Sequence, residues 1–114
     1  ENLDSFDVWG TGKPLREFLY VDDLSKAIIH LINSNFKEGI LNVGSGEEVS
    51  ISNLVTLIKK VVGFKGKINF DTNYPDGNPR KLLDSKKIRE LGWKPTVTLE
   101  EGLQKTYAWY VENN

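Results

Sequence analysis

Apolar residues in this chain switch repeatedly between the alternation of a strand and the wider spacing of a helix, which confines it to a mixed α and β architecture. Phe6 to Val21 reads as extended structure interrupted by a turn at Trp9-Gly10-Thr11-Gly12-Lys13-Pro14, with Phe18-Leu19-Tyr20-Val21 as a short buried strand. Asp22-Asp23 then supplies the cap of a helix striped by Leu24, Ala27, Ile28, Leu31 and Ile32. Ile40-Leu41-Asn42-Val43 reads as another strand, stopped by Gly44-Ser45-Gly46. Ser50 or Ser52 caps a second amphipathic helix, which carries Leu54, Ile58, Val61 and Val62 and ends at Gly63. Lys67 to Phe70 alternates as a half-buried strand would. Asp84 is expected to cap a short helix, with Leu83 and Ile88 as a hydrophobic staple, Gly92 as its stop and Pro95 keeping the next stretch extended. Thr98-Leu99-Glu100-Glu101 matches a capping box, opening a last helix striped by Leu99, Leu103, Tyr107 and Val111. The simplest arrangement is one layer of strands covered by helices.

The 114 residues suffice for a single domain, and no linker is long enough to divide them. Apolar content of 39% and charged content of 27% suit a globular chain and not a disordered one. Fifteen basic residues against 16 acidic ones leave no overall positive field for nucleic acid or membrane. No apolar run approaches the roughly 20 residues of a membrane span, and no signal-peptide pattern is present. Cysteine is absent, so disulfides, thiolate metal sites and cysteine nucleophiles are excluded, as suits a cytoplasmic protein. The opening Glu1-Asn2-Leu3, without methionine, reads as part of a longer protein or as a processed terminus.

Candidate chemistry concentrates in Pro75-Asp76-Gly77-Asn78-Pro79-Arg80-Lys81-Leu82-Leu83-Asp84. Two prolines stiffen this turn, which presents Asp76, Arg80 and Lys81 together. Arg and Lys suit phosphate oxygens and Asp suits sugar hydroxyls, although a solvated surface turn has the same composition. Arg16 opens an apolar strand after a glycine-rich turn, so its guanidinium either projects toward a ligand or pairs with an acid such as Glu17. Trp9 either offers an aromatic face to a base or sugar, or belongs to the core. Trp93 and Trp109 read as packing residues.

Neither Gly10-x-Gly12 nor Gly44-Ser45-Gly46 completes a dinucleotide fingerprint, because Leu15 and Val49 stand where the third glycine is required. A phosphate-binding P-loop fails as well. His30 is the single histidine and lies off the apolar stripe of its helix, so neither a transition-metal site nor a Ser-His-Asp set can be built on it. Asp22-Asp23 and Glu47-Glu48 are explained by capping and solvation.

Gly10-Thr11-Gly12-Lys13-Pro14-Leu15-Arg16-Glu17-Phe18-Leu19-Tyr20-Val21-Asp22-Asp23 resembles a segment of the extended short-chain dehydrogenase/reductases that act on nucleotide sugars, as do Asn42-Val43-Gly44-Ser45-Gly46 and Leu91-Gly92-Trp93-Lys94-Pro95. Val8-Trp9-Gly10-Thr11-Gly12, the Pro75–Asp84 string, and Leu99-Glu100-Glu101-Gly102-Leu103 with Thr106-Tyr107 and Trp109 resemble the GDP-L-fucose synthase family within them. The resemblance implies the C-terminal portion of a Rossmann-type α/β fold, with a mixed sheet and about four helices. In this view 1–46 packs with a nucleotide-binding domain and 47–114 forms the substrate lobe.

The same resemblance implies an NADP-dependent GDP-4-keto-6-deoxy-D-mannose 3,5-epimerase/4-reductase, cytoplasmic and dimeric. NADP(H) would be held by an N-terminal domain, and no metal would be required. By the same resemblance the catalytic Ser-Tyr-Lys set and a histidine acid would lie upstream, and no Tyr-x-x-x-Lys occurs in this chain to stand in for them. Substrate contacts fall on Trp9, Arg16, Asp76 and Lys81: Arg16 on the diphosphate, Trp9 near sugar or nucleotide, Asp76 accepting from hydroxyl or base donors, Lys81 adding charge near the phosphates. Another nucleotide-sugar epimerase or dehydratase, or a non-catalytic nucleotide-sugar module, is the alternative.

Overall fold

In a computed structural model, residues 3–37 and 39–114 are described; the Glu1-Asn2 opening lies outside them. Four strands and four helices follow in the order β1 (Ser5–Trp9), β2 (Leu15–Glu17), α1 (Val21–Asn33), β3 (Glu48–Ser50), α2 (Ile51–Val62), β4 (Lys67–Asp71), α3 (Lys86–Glu90) and α4 (Leu99–Asn113). β1 and β4 pair in parallel, Ser5 opposite Lys67 through to Trp9 opposite Asp71. β2 and β3 pair antiparallel, and a lone parallel bridge joins Leu15 to Arg80. The fold is therefore α/β with small mixed pairing and four helices, as expected.

Local chemistry accounts for the helix ends. Ser50 Oγ accepts from the Asn53 amide at 3.2 Å and opens α2. That helix closes on Gly63 at φ 71°, a left-handed cap that glycine adopts without a Cβ clash. Thr98 Oγ1 accepts from the Glu101 amide at 3.2 Å and opens α4. The αL cap and the two hydroxyl caps stand where the sequence places them.

Several expectations require correction. Phe18–Tyr20 is extended but unpaired, and Val21 already belongs to α1. The ladder ends at Glu17 because its antiparallel partner Glu48 is the first residue of β3, and the chain before it turns at Gly46, whose φ is 78°. Ile40–Val43 likewise finds no ladder partner among the described residues, and Ile40 is 93% exposed.

Asp22 and Asp23 are not caps. The N-cap position is Tyr20, without a side-chain bond, and both acids lie in the first turn, where they complement the helix dipole. α3 begins one residue later than Asp84 predicts, with Ser85 at its N-cap. Asp84 Oδ1 instead accepts from the Lys86 amide at 3.0 Å, and Leu83 stays half exposed while Ile88 is fully buried, so the staple does not form as a buried pair. Trp109 is 63% exposed on α4 and is no packing residue of this chain, whereas Trp93 is buried as expected.

The core is small: Ala27 from α1, Ile88 from α3 and Trp93, with Leu19, Leu31, Leu41 and Val43 packed around them. The chain leaves 8506 Å² of surface accessible. A compact protein of this mass leaves about 6,300 Å². The radius of gyration, 16.9 Å, exceeds the ~13 Å of a compact chain of this length. The excess is apolar in part, because Val21, Ile28 and Ile32 form an exposed stripe along α1.

Candidate functional site

Parallel pairing brings the C-terminal ends of β1 and β4 side by side, so the turn after Trp9 and the loop after Asp71 leave the sheet together. The Gly10 amide donates to the Asp71 carbonyl at 2.9 Å. Asp76 then closes the two segments on each other. Its Oδ1 accepts from the Thr11 amide at 2.8 Å and its Oδ2 from the Thr11 hydroxyl at 2.6 Å. Gly10 is required there: its φ is 88°, and a Cβ would run into the Asp76 carboxylate. Further along, the Leu15 amide donates to the Pro79 carbonyl at 2.9 Å, and Arg16 Nη1 donates to the Asn78 carbonyl at 2.8 Å and to the Leu15 carbonyl at 2.6 Å.

The structure thus gathers Trp9, Arg16 and Asp76 at one end of the β1–β4 pair, with Lys81 in the same loop just beyond the Leu15–Arg80 bridge. Trp9, the last residue of β1, is 68% exposed and therefore outside the core. Tyr74 stacks on it, with ring centroids 4.3 Å apart and an interplanar angle of 11°. Arg16 is half-buried, and beyond Nη1 its guanidinium has no partner among the described residues. It does not pair with Glu17, whose carboxylate accepts from the Gly46 amide at 2.7 Å.

Charge in this corner is partly committed. The hydrogen bond from the Thr11 hydroxyl, reinforced by the Thr11 amide, holds the Asp76 carboxyl below the ordinary carboxylate range; partial desolvation opposes the shift and Lys13 assists it. Arg80 is not free for a ligand, because its Nε meets Glu48 Oε1 at 2.6 Å and ties the loop to β3. Glu48 correspondingly raises the Arg80 pKa. Lys81 is exposed and forms no ion pair with the described residues.

The second glycine pair, Gly44-Ser45-Gly46, is clasped from both sides. Glu17 takes the Gly46 amide, and Arg89 Nη2 donates to the Ser45 carbonyl at 2.6 Å, with the guanidinium carbon 5.6 Å from the Trp93 ring centroid. A Cβ at Gly44 would collide with the Glu17 carboxylate. Both Gly-x-Gly turns therefore make room for a carboxylate of this chain, and neither offers the open amide cradle that a dinucleotide pyrophosphate needs. NADP(H) does not fit either turn.

His30 is half-buried, with Nε2 donating to the Leu91 carbonyl at 2.6 Å, a structural tether between α1 and the end of α3. No group of His, Cys, Asp or Glu among the described residues could hold a metal ion. A cleft of about 510 Å³ lies elsewhere, between Phe18–Val21, α2 and α4, and none of Trp9, Arg16, Asp76 and Lys81 lines it.

Sequence reasoning missed Thr11 and Tyr74, which hold the corner, and Asp23, which is 1% exposed. Asp23 accepts from the Thr96 amide at 3.1 Å, the Thr96 hydroxyl at 2.9 Å and the Val97 amide at 2.9 Å. Nothing local marks these pairings, which join residues more than 60 positions apart in the chain.

The sequence profile of the family described as GDP-mannose 4,6 dehydratase matches residues 2–106. Probable GDP-L-fucose synthase 1 of Oryza sativa subsp. japonica is 60% identical over 106 residues, covering 93% of this chain and 32% of that protein. GDP-L-fucose synthase of Escherichia coli K12 is 43% identical, covering 99% of this chain and 38% of that protein. Among solved structures, a GDP-L-fucose synthetase from Naegleria fowleri bound to NADP superposes with a TM-score of 0.89 at 31% identity, over 96% of this chain and 35% of that one. A GDP-6-OMe-4-keto-L-xylo-heptose reductase from C. jejuni gives 0.88 at 35% identity, over 97% of this chain and 35% of that one. The chain spans about a third of the length of the curated relatives it matches.

Proposed function

The chain belongs to the GDP-mannose 4,6-dehydratase family, and from that premise we propose that it is the substrate-binding part of an NADP-dependent GDP-4-keto-6-deoxy-D-mannose 3,5-epimerase/4-reductase making GDP-L-fucose. The observation that carries the reading is the corner itself. A stiff loop bearing Asp76 and Lys81 is fastened to the turn that presents Trp9 and Arg16.

Within it, Arg16 keeps donors on one side of its planar fork and holds the diphosphate, where a bidentate geometry matches two oxygens. Lys81 adds a mobile positive charge beside it. Trp9 packs its exposed face on the sugar or base. Asp76 spends one bond per oxygen on Thr11, so its remaining lone pairs accept from ligand donors while the carboxylate keeps the loop in place.

In this proposal the catalytic Ser-Tyr-Lys set, the histidine acid and the NADP(H) site belong to the remaining two thirds of the enzyme, and the 114-residue piece alone does not turn over substrate. Residues 1–46 pack against that domain and 47–114 form the substrate lobe. The exposed Val21, Ile28 and Ile32 stripe and the excess accessible surface support such a covering partner. A cytoplasmic homodimer completes the reading. No described helix is long and apolar enough to cross a membrane.

Titration calorimetry of the full-length protein with GDP, UDP and dTDP tests the substrate class. Preference for GDP is expected; preference for UDP or dTDP would assign the chain to another nucleotide-sugar epimerase or dehydratase.

A further inference from the structure

We propose that Tyr74 is a positioning residue for nucleotide-sugar recognition, its ring backing Trp9 so that the opposite indole face meets a flat, apolar face of the bound ligand. The inference rests on the corner of Trp9, Arg16, Asp76 and Lys81 being the GDP-sugar site. Trp9 ends β1 and is 68% exposed, so no core packing fixes its orientation. A side chain so placed samples several rotamers unless a neighbour holds it, and ordering it on ligand binding costs affinity.

Tyr74 supplies the hold. Asp71, the ladder partner of Trp9, accepts from the Asn73 amide on its carboxylate at 3.0 Å and from the Tyr74 amide on its carbonyl at 3.4 Å. That tight turn folds the ring of Tyr74 back onto the indole, 4.3 Å away and nearly parallel. The stack covers one indole face, and among the described residues no other aromatic or cationic group stacks on Trp9. The Tyr74 hydroxyl has no hydrogen-bond partner among the described residues, so the contribution comes from the ring face alone.

The division of labour within the corner makes this testable. Arg16 and Lys81 address phosphate, whereas an indole face addresses a base or the C–H face of a hexose. Loss of Tyr74 therefore weakens binding of a complete nucleotide sugar and leaves pyrophosphate binding unchanged, which a general loosening of the loop would not do.

Calorimetry on the full-length protein with GDP-mannose and, separately, inorganic pyrophosphate distinguishes these. Wild-type protein that fails to bind GDP-mannose sinks the functional reading itself. Given wild-type binding, Tyr74→Ala is expected to weaken GDP-mannose about fivefold with pyrophosphate affinity within twofold, and Tyr74→Phe to restore the wild-type value. Unchanged GDP-mannose affinity in Tyr74→Ala overturns the proposal, as does an equal loss for both ligands. Should Tyr74→Ala fail to fold, Tyr74→Leu against Tyr74→Phe decides: comparable GDP-mannose affinities in the two overturn the role of the ring.

Discussion

Asp23 and Asp76 show how differently two carboxylates of one chain are used. Asp23 is buried, and burial by itself pushes its carboxyl up; the bonds donated by the Val97 amide, the Thr96 amide and the Thr96 hydroxyl outweigh this, with Lys26 assisting, and leave it below the ordinary value of 3.8. A carboxyl lowered on folding contributes stability above that ordinary value and loses it as pH falls through the lowered one. Stability of the protein should thus drop in the acid range, and Asp23→Asn should flatten that part of the profile in urea titrations taken between about pH 2 and pH 5. Asp23→Ala strands two backbone amides and one hydroxyl and should cost about 2–4 kcal/mol at neutral pH, read from the same titrations. Arg16 carries the functional prediction at this scale. Arg16→Ala in the full-length enzyme should raise KM for the GDP-sugar at least tenfold, about 1.4 kcal/mol or more, and an unchanged KM would remove Arg16 from the site. Arg16 and Trp9 were legible as candidates because a cation and an aromatic flank a glycine-rich turn; their partners Asn78 and Tyr74 were not, because a loop more than 60 residues further along delivers them.

Elements differ in how much of them is local. α2 and α4 begin at hydroxyl caps and α2 ends at a left-handed glycine, all within a few residues of the apolar stripe they bound. Such signals act inside one turn and can be read directly. Thr98→Ala should cost about 1 kcal/mol in thermal denaturation, the value of one lost cap. Two glycines with similar φ separate local strain from packing. At Gly63 an added Cβ meets nothing within 4 Å, so Gly63→Ala should cost only about 1 kcal/mol of backbone strain. At Gly10 the same methyl would push on the Asp76 carboxylate and open the Thr11 bonds, so Gly10→Ala should lower the melting temperature clearly more. Strands are less local. Phe18–Tyr20 and Ile40–Val43 have the β-branched and aromatic content of strands yet find no ladder partner among the described residues, since pairing depends on what lies alongside.

At the scale of the whole molecule, accessible surface lies well above that of a compact chain of its mass, and α1 carries an exposed apolar stripe of Val21, Ile28 and Ile32. The 114-residue chain alone should self-associate in sedimentation velocity at micromolar concentration, and Ile28→Glu with Ile32→Glu should return it toward monomer. A monomeric wild-type chain would show the stripe to be harmless by itself. The capped starts of α2 and α4, the end of α2, the mixed class and the stiffness of the Pro75–Pro79 turn were decided by the amino-acid order, because capping, period and φ restriction act over a few neighbouring residues. Which carboxylate closes on which turn, that Arg80 is spent on Glu48, and that Tyr74 lies against Trp9 were decided only by tertiary structure, since strand pairing and the returning loop juxtapose segments from 32 to 65 residues apart that carry no mark of one another.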